Sequence, residues 1–135
     1  MPDFTPLRRN LETTVPAAIA SAVQDQAVNL VPFDGVVTSV TFIPEADITG
    51  QATNYRTFRV VNTGADGNGT TVVASLAFSS GSVTATDFDE KPVTLSVVAG
   101  ATTVAAGDVL KWDETVTGTG LASPGCKVIV AVDRS

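Results

Sequence analysis

The sequence predicts an all-β protein. The expected architecture is an antiparallel β-sandwich of jelly-roll type spanning 17–135 as one domain, preceded by an extended N-terminal arm, 1–16. Three observations predict it. Short runs rich in Val, Thr and Phe alternate from one side to the other. Clusters of Gly, Asn, Asp, Ser and Pro separate these runs, and no segment holds a long helical period. Strand order cannot be read from such runs, so a Greek-key sandwich of another topology is the alternative.

The elements follow in order. "MPDFTPLRRNLETTVP" carries three prolines and neither a two-residue nor a helical period, which reads as an extended arm. "AAIASAV" (Ala17 to Val23) is rich in alanine but short and uncapped, so helix and early strand both fit it. "QDQ" then leads into "AVNLVPF", where Pro32 marks an end or an edge. "GVVTSVTFI" sets Val36, Thr38, Val40 and Phe42 against Val37, Ser39, Thr41 and Ile43, and Pro44 stops it. "NYRTFRVVN" puts Arg56, Phe58 and Val60 on one face. "TTVVASLAF" puts Val72, Ala74, Leu76 and Phe78 together. "KPVTLSVV" aligns Val93, Leu95 and Val97. "GDVLKWDETV" aligns Leu110, Trp112, Glu114 and Val116. "CKVIVAVDRS" aligns Val128, Val130 and Val132.

Composition narrows the function. The chain has 135 residues, 44% of them hydrophobic, enough to bury a core without staples. Charged residues are only 16%, below the roughly 25% usual for globular domains. A surface that poor in charge is either covered by Thr, Ser, Gly and Ala or partly hidden by a partner. Net charge is −6 and the basic residues are scattered, which argues against nucleic acid as a partner. No apolar run approaches the roughly 20 residues of a membrane helix, and no signal-peptide core follows Arg8-Arg9. The expectation is a protein made in the cytoplasm with no membrane partner. A single cysteine, Cys126, excludes an intrachain disulfide. Histidine is absent, which removes the commonest general base and the usual zinc ligand.

The candidate chemistry is thin. "TDFDEKP" holds Asp87, Asp89 and Glu90 around Phe88, a possible carboxylate pair for glycoside hydrolysis, but a solvated turn explains it better. Trp112 lies in phase with Leu110 and Val116 and reads as a core anchor rather than a sugar-stacking ring. "NTGADGNGTT" begins like a calcium loop at Asp66 and Asn68. The next ligand position is Thr70, the turn glycine is replaced by Thr71, and the twelfth position falls on Ala77. Its Asp-Gly and Asn-Gly steps suit a strand connection. No catalytic, cofactor or metal residues are expected, no cofactor is implied, and the chain is not expected to be an enzyme.

The ordered phrases "VPFDGVVTSVTFIPEADITG", "TNYRTFRVVNTGADGNGTTVVASLAF", "GDVLKW" and "GTGLASPG", with the Val-rich end, cover roughly residues 28–135. Together they resemble small head decoration (minor capsid) proteins of tailed bacteriophages, especially those infecting actinobacteria. The resemblance implies a structural virion protein on the outer surface of the capsid. It would bridge subunits of the major capsid protein, stabilise the head, and form a homo-oligomer, with a trimer favoured. The arm lies outside that resemblance; read from its own residues it is either a frayed terminus or an arm that lies on a partner through Phe4, Leu7, Arg8, Arg9 and Leu11. The alternative is a carbohydrate-binding or adhesive β-module of a phage fibre, for which Tyr55, Phe88 and Trp112 are the candidate platforms.

Overall fold

The computed structural model describes residues 7–135. Its strands are β1 (Arg8–Val15), β2 (Gln24–Leu30), β3 (Gly35–Pro44), β4 (Ile48–Thr49), β5 (Tyr55–Asn62), β6 (Thr71–Ala77), β7 (Thr84–Ala85), β8 (Lys91–Leu95), β9 (Thr103–Val104), β10 (Val109–Thr117) and β11 (Cys126–Arg134). All pairings are antiparallel, as the sequence predicts.

The longer strands are nested. β1 pairs with β11, β2 with β10, β3 with β8, and β5 with β6. Cross-pairings of β11 with β3, β10 with β5 and β6 with β8 join these couples into one path, β1-β11-β3-β8-β6-β5-β10-β2. The path has two layers. One holds β1, β11, β3 and the short β9; the other holds β6, β5, β10 and β2. β8 is the corner between them: Lys91–Val93 pair with β3, while Thr94 and Leu95 pair with β6. The sandwich is therefore continuous at one side and is better described as a nearly closed, flattened barrel.

At the other side β1 and β2 lie next to each other without a backbone ladder. Side chains stitch this seam. Gln26 Nε2 donates to Thr13 Oγ1 at 3.1 Å and to Thr14 O at 2.6 Å, and Gln24 Nε2 donates to Pro16 O at 3.0 Å. Closure of this kind leaves little free edge for unwanted pairing.

Alternating apolar residues fill the interior. Val128, Val130 and Val132 of β11 meet Val37, Val40 and Phe42 of β3, with Phe58, Val60, Leu110 and Trp112 from the opposite layer. Phe42, Phe58, Phe78 and Trp112 form an aromatic cluster. The Phe42–Phe58 ring centroids are 5.1 Å apart and perpendicular, and Phe58–Trp112 are 5.3 Å apart. Edge-on and tilted contacts suit the ring quadrupoles better than stacked faces.

Strict alternation fails in four strands: Val60 and Val61 are both buried in β5 and Val130, Ala131 and Val132 in β11, and bulges disturb β3 and β6. In β3 the register steps from Val37↔Val132 to Ser39↔Ala131, so Thr38 is an extra residue. This bulge turns both Val37 and Val40 inward, although the sequence puts them on opposite faces. In β6 a second irregularity, opposite Val60 and Val61, buries Val73 beside Ala74. Two further expectations are corrected. "AAIASAV" is neither helix nor strand but a connection with one isolated bridge, Ala18↔Ser123. β8 stops at Leu95, so Val97 is exposed on the following loop and not aligned with Val93.

The N-terminal expectation also changes. Residues 8–15 are extended, but as a strand of the domain and not as a free arm. β1 pairs with β11 along its whole length, from Arg8↔Asp133 to Val15↔Cys126. Leu11 and Val15 are buried in the core. Their shared face is what fixes the segment, because two large apolar side chains in phase stabilise it more in the interior than in water.

Candidate interaction surface

Of the five residues expected to form an interface, Phe4 lies outside the described residues. Leu11 is a core residue, so its assignment to a contact surface is corrected. Arg8 is exposed but already paired: Nε donates to Asp133 Oδ1 at 2.6 Å and an Nη donates to Oδ2 at 3.0 Å. The hydrogen bonds from Arg8 hold the Asp133 carboxyl below its ordinary pKa, and the same pairing raises that of the guanidinium. Both groups are solvated, so the pair contributes little to stability. Leu7 and Arg9 remain on the surface, with Leu7 O accepting from Arg134 N at 2.8 Å.

Strand directions sort the connections into two ends. The segments 16–23, 45–54, 78–90 and 118–125 cap one end; 31–34, 63–70 and 96–108 cap the other. At the first end the organising residue is Arg56. It follows the inward phase of Phe58 and Val60 and is fully buried. Its Nη1 donates to Glu114 Oε1 at 3.0 Å, Nε to Leu121 O at 2.7 Å, and Nη2 to Ile19 O at 2.9 Å and Ala22 O at 2.8 Å. Glu114, equally buried, accepts on its other oxygen from Trp112 Nε1 at 2.8 Å. The planar guanidinium has donors enough for all four acceptors. It ties 17–23 and 118–125 to the barrel and leaves Ile19 and Val23 projecting into solvent. The sequence reading missed this group, although Arg56 and Glu114 both sit in the inward phase of their strands.

Beside Val23 is a shallow depression of about 270 Å³, lined by Val23, Gln24, Asp25, Asp113 and Thr115. Both of its carboxylates have basic partners, Asp25 with Lys111 at 3.8 Å and Asp113 with Arg59. Within the described residues, no three Cys, Asp or Glu side chains gather as metal ligands.

The second end uses its polar residues to shape loops. In "NTGADGNGTT", the connection from β5 to β6, Asp66 Oδ1 accepts from Asn68 N at 3.0 Å. That bond lowers the Asp66 pKa. Gly64 and Gly67 take φ values of 72° and 82°, where a side chain is disfavoured. Asp108 Oδ2 accepts from Asn62 Nδ2 and Ala105 N, both at 2.9 Å, and Asp34 Oδ1 from Ala106 N at 2.9 Å.

Among the three platform candidates, Trp112 is inside the aromatic cluster and cannot meet a ligand, and Tyr55 is half-buried. Phe88 is exposed, on the 78–90 connection with Asp87, Asp89 and Glu90. Cys126 is buried, and desolvation pushes its thiol up to about 12, helped by the charges of Glu114 and Glu45. It is a packing residue and not a nucleophile. Comparison of the chain with family models, curated proteins and solved structures found no match.

Proposed function

We propose that the chain is a structural virion protein that binds the outer surface of a tailed-phage head, bridges major capsid protein subunits and stabilises the shell. One observation carries the reading: outside the Asp87–Glu90 loop, many of the groups that could do chemistry are engaged in holding the fold. Arg56 and Glu114 lock two connections, Asp34, Asp66 and Asp108 shape loops, and Arg8, Arg59 and Lys111 are paired within the chain. The outer face of the β1-β11-β3 layer presents Thr41, Ile43 and Ile129 beside the Arg8–Asp133 and Glu12–Lys127 pairs, whose opposite charges balance on a face suited to broad contact. A shell that displays many copies also raises effective concentration, so each contact can be weak.

The nested pairing of β1 with β11, β2 with β10, β3 with β8 and β5 with β6 supports reading the sandwich as a jelly roll. A trimer is the favoured assembly on this reading, and no catalytic role is assigned. Of the residues expected at the contact, Leu11 is internal and Arg8 is paired, which leaves Leu7 and Arg9 as its exposed members among the described residues.

Titration of purified protein onto undecorated heads of the encoding phage tests the proposal. Saturable co-sedimentation, with heads more resistant to heat, is expected. Heads that neither retain the protein nor gain resistance would remove the reading.

A further inference from the structure

We propose that Phe88 anchors a protein-docking surface whose partner is a segment presenting an apolar side chain beside arginine or lysine. Three observations converge on it. Phe88 is the single non-glycine residue with positive φ among the described residues, at 57°, and the residue is 73% exposed. A phenylalanine in that backbone region costs free energy that glycine would not. The exposed ring recovers little of that cost by burial, so the fold itself gives no reason for an aromatic residue here.

The second observation is rigidity. The loop is rooted by β4 and β7, which pair Ile48 with Ala85, and both of these side chains are buried. Gly50 N donates to Val83 O at 2.9 Å and Gln51 N to Phe78 O at 3.0 Å. At the tip, Phe88 N donates to Pro44 O at 2.8 Å, Asp89 N to Thr86 O at 3.1 Å, and Asp87 N to Asp47 Oδ1 at 2.8 Å. The ring is thus presented on a fixed support. A preorganised aromatic loses little freedom on binding, which is the property of interface anchors.

The third observation sets the partner's chemistry. Asp87, Asp89 and Glu90 flank the ring, all exposed, and none forms an ion pair among the described residues. The carboxylates of Asp34, Asp108, Asp113 and Asp133 each have a partner within the fold. Three exposed carboxylates on the residues next to Phe88, without an ion pair among the described residues, complement a basic partner, whose Arg also stacks on aromatic faces. The inference concerns the docking chemistry alone and stands whether or not the partner is a capsid.

The test is selection of a random peptide library on the immobilised full chain, followed by titration of synthetic copies of the enriched peptides. Expected are peptides carrying Arg or Lys beside an apolar residue. Their affinity should fall about tenfold or more on Phe88→Ala, and should weaken from low salt to about 0.5 M salt. Joint replacement of Asp87→Asn, Asp89→Asn and Glu90→Gln should remove the salt dependence. Phe88→Gly serves as the folding control: its melting temperature should equal or exceed that of the parent while peptide binding is lost. The proposal is overturned if the enriched peptides bind Phe88→Ala as tightly, if they are not basic, or if no peptide depends on Phe88. A glycan that binds through Phe88 where basic peptides do not would overturn it equally.

Discussion

Replacing Arg56 by methionine removes the guanidinium while keeping an apolar stem of similar length. Glu114 is then left buried with Trp112 Nε1 as its remaining donor, and the carbonyls of Ala22 and Leu121 lose theirs, while Ile19 O keeps the Ala22 amide. Removing one partner of a buried pair typically costs about 3–5 kcal/mol, because the other charge stays uncompensated. The unfolding entropy of a chain this long is roughly 0.28 kcal/mol per kelvin, at about 2.1 cal/mol/K per residue. The cost therefore corresponds to a fall in melting temperature of about 10–18 °C. Replacing both residues, Arg56→Met with Glu114→Gln, removes the stranded charge, so the double variant should be more stable than the sum of the single losses implies by about 1–3 kcal/mol. Urea unfolding followed by circular dichroism gives all four corners of this cycle. A loss under about 1 kcal/mol for Arg56→Met, or strict additivity in the cycle, would refute the claim that this pair locks the connections.

Other outcomes are expected. Leu11→Ala should cost about 2–4 kcal/mol as a core truncation, while Asn10→Ala, on the exposed side of the same strand, should stay within about 0.5 kcal/mol; equal small effects would restore a free arm. Cys126 should resist thiol reagents at neutral pH until the protein unfolds. Its raised folded pKa means the unfolded thiol ionises first, so stability is unaffected below about pH 8.5 and declines above it. Cys126→Ala should flatten that alkaline decline by about 1–2 kcal/mol at pH 10, and an unchanged slope would argue against the buried thiol as its source. Calcium up to millimolar levels should leave the melting temperature unchanged, and affinity tighter than roughly millimolar would reopen Asp66 as a ligand.

The all-β class and most inward faces were legible because alternation survives wherever strands are regular, as in Val128, Val130 and Val132 or Leu110 and Trp112. It misled where one inserted residue flips a face, at Thr38 of β3, since nothing local marks a bulge without glycine. β1 escaped for a different reason. Leu11 and Val15 are in phase, but half-polar Thr13 separates them and Arg8-Arg9 precede them. The partner strand that makes sense of the pattern also lies at the other end of the chain.

The Arg56–Glu114 pair was half legible. Each residue falls on an apolar face, a conflict that asks for a partner, but the two are separated by 58 positions and only the β5–β10 pairing brings them together. The three other acceptors of Arg56 are backbone carbonyls, which carry no sequence signature. Phe88 was visible as a residue but not as a feature: it sits in a turn closed by Asp89 N to Thr86 O, and its own amide bonds Pro44 O, a contact between residues 44 positions apart that no local pattern encodes.

The central claim is that the chain belongs to the head of a virion, and counting its copies there tests that claim most directly. Quantitative mass spectrometry of purified virions should find it in copy number comparable to the major capsid protein, and heads stripped of it should rebind it to the same number. Its absence from virions, or its presence in only the few copies expected of a tail or fibre component, would contradict the account.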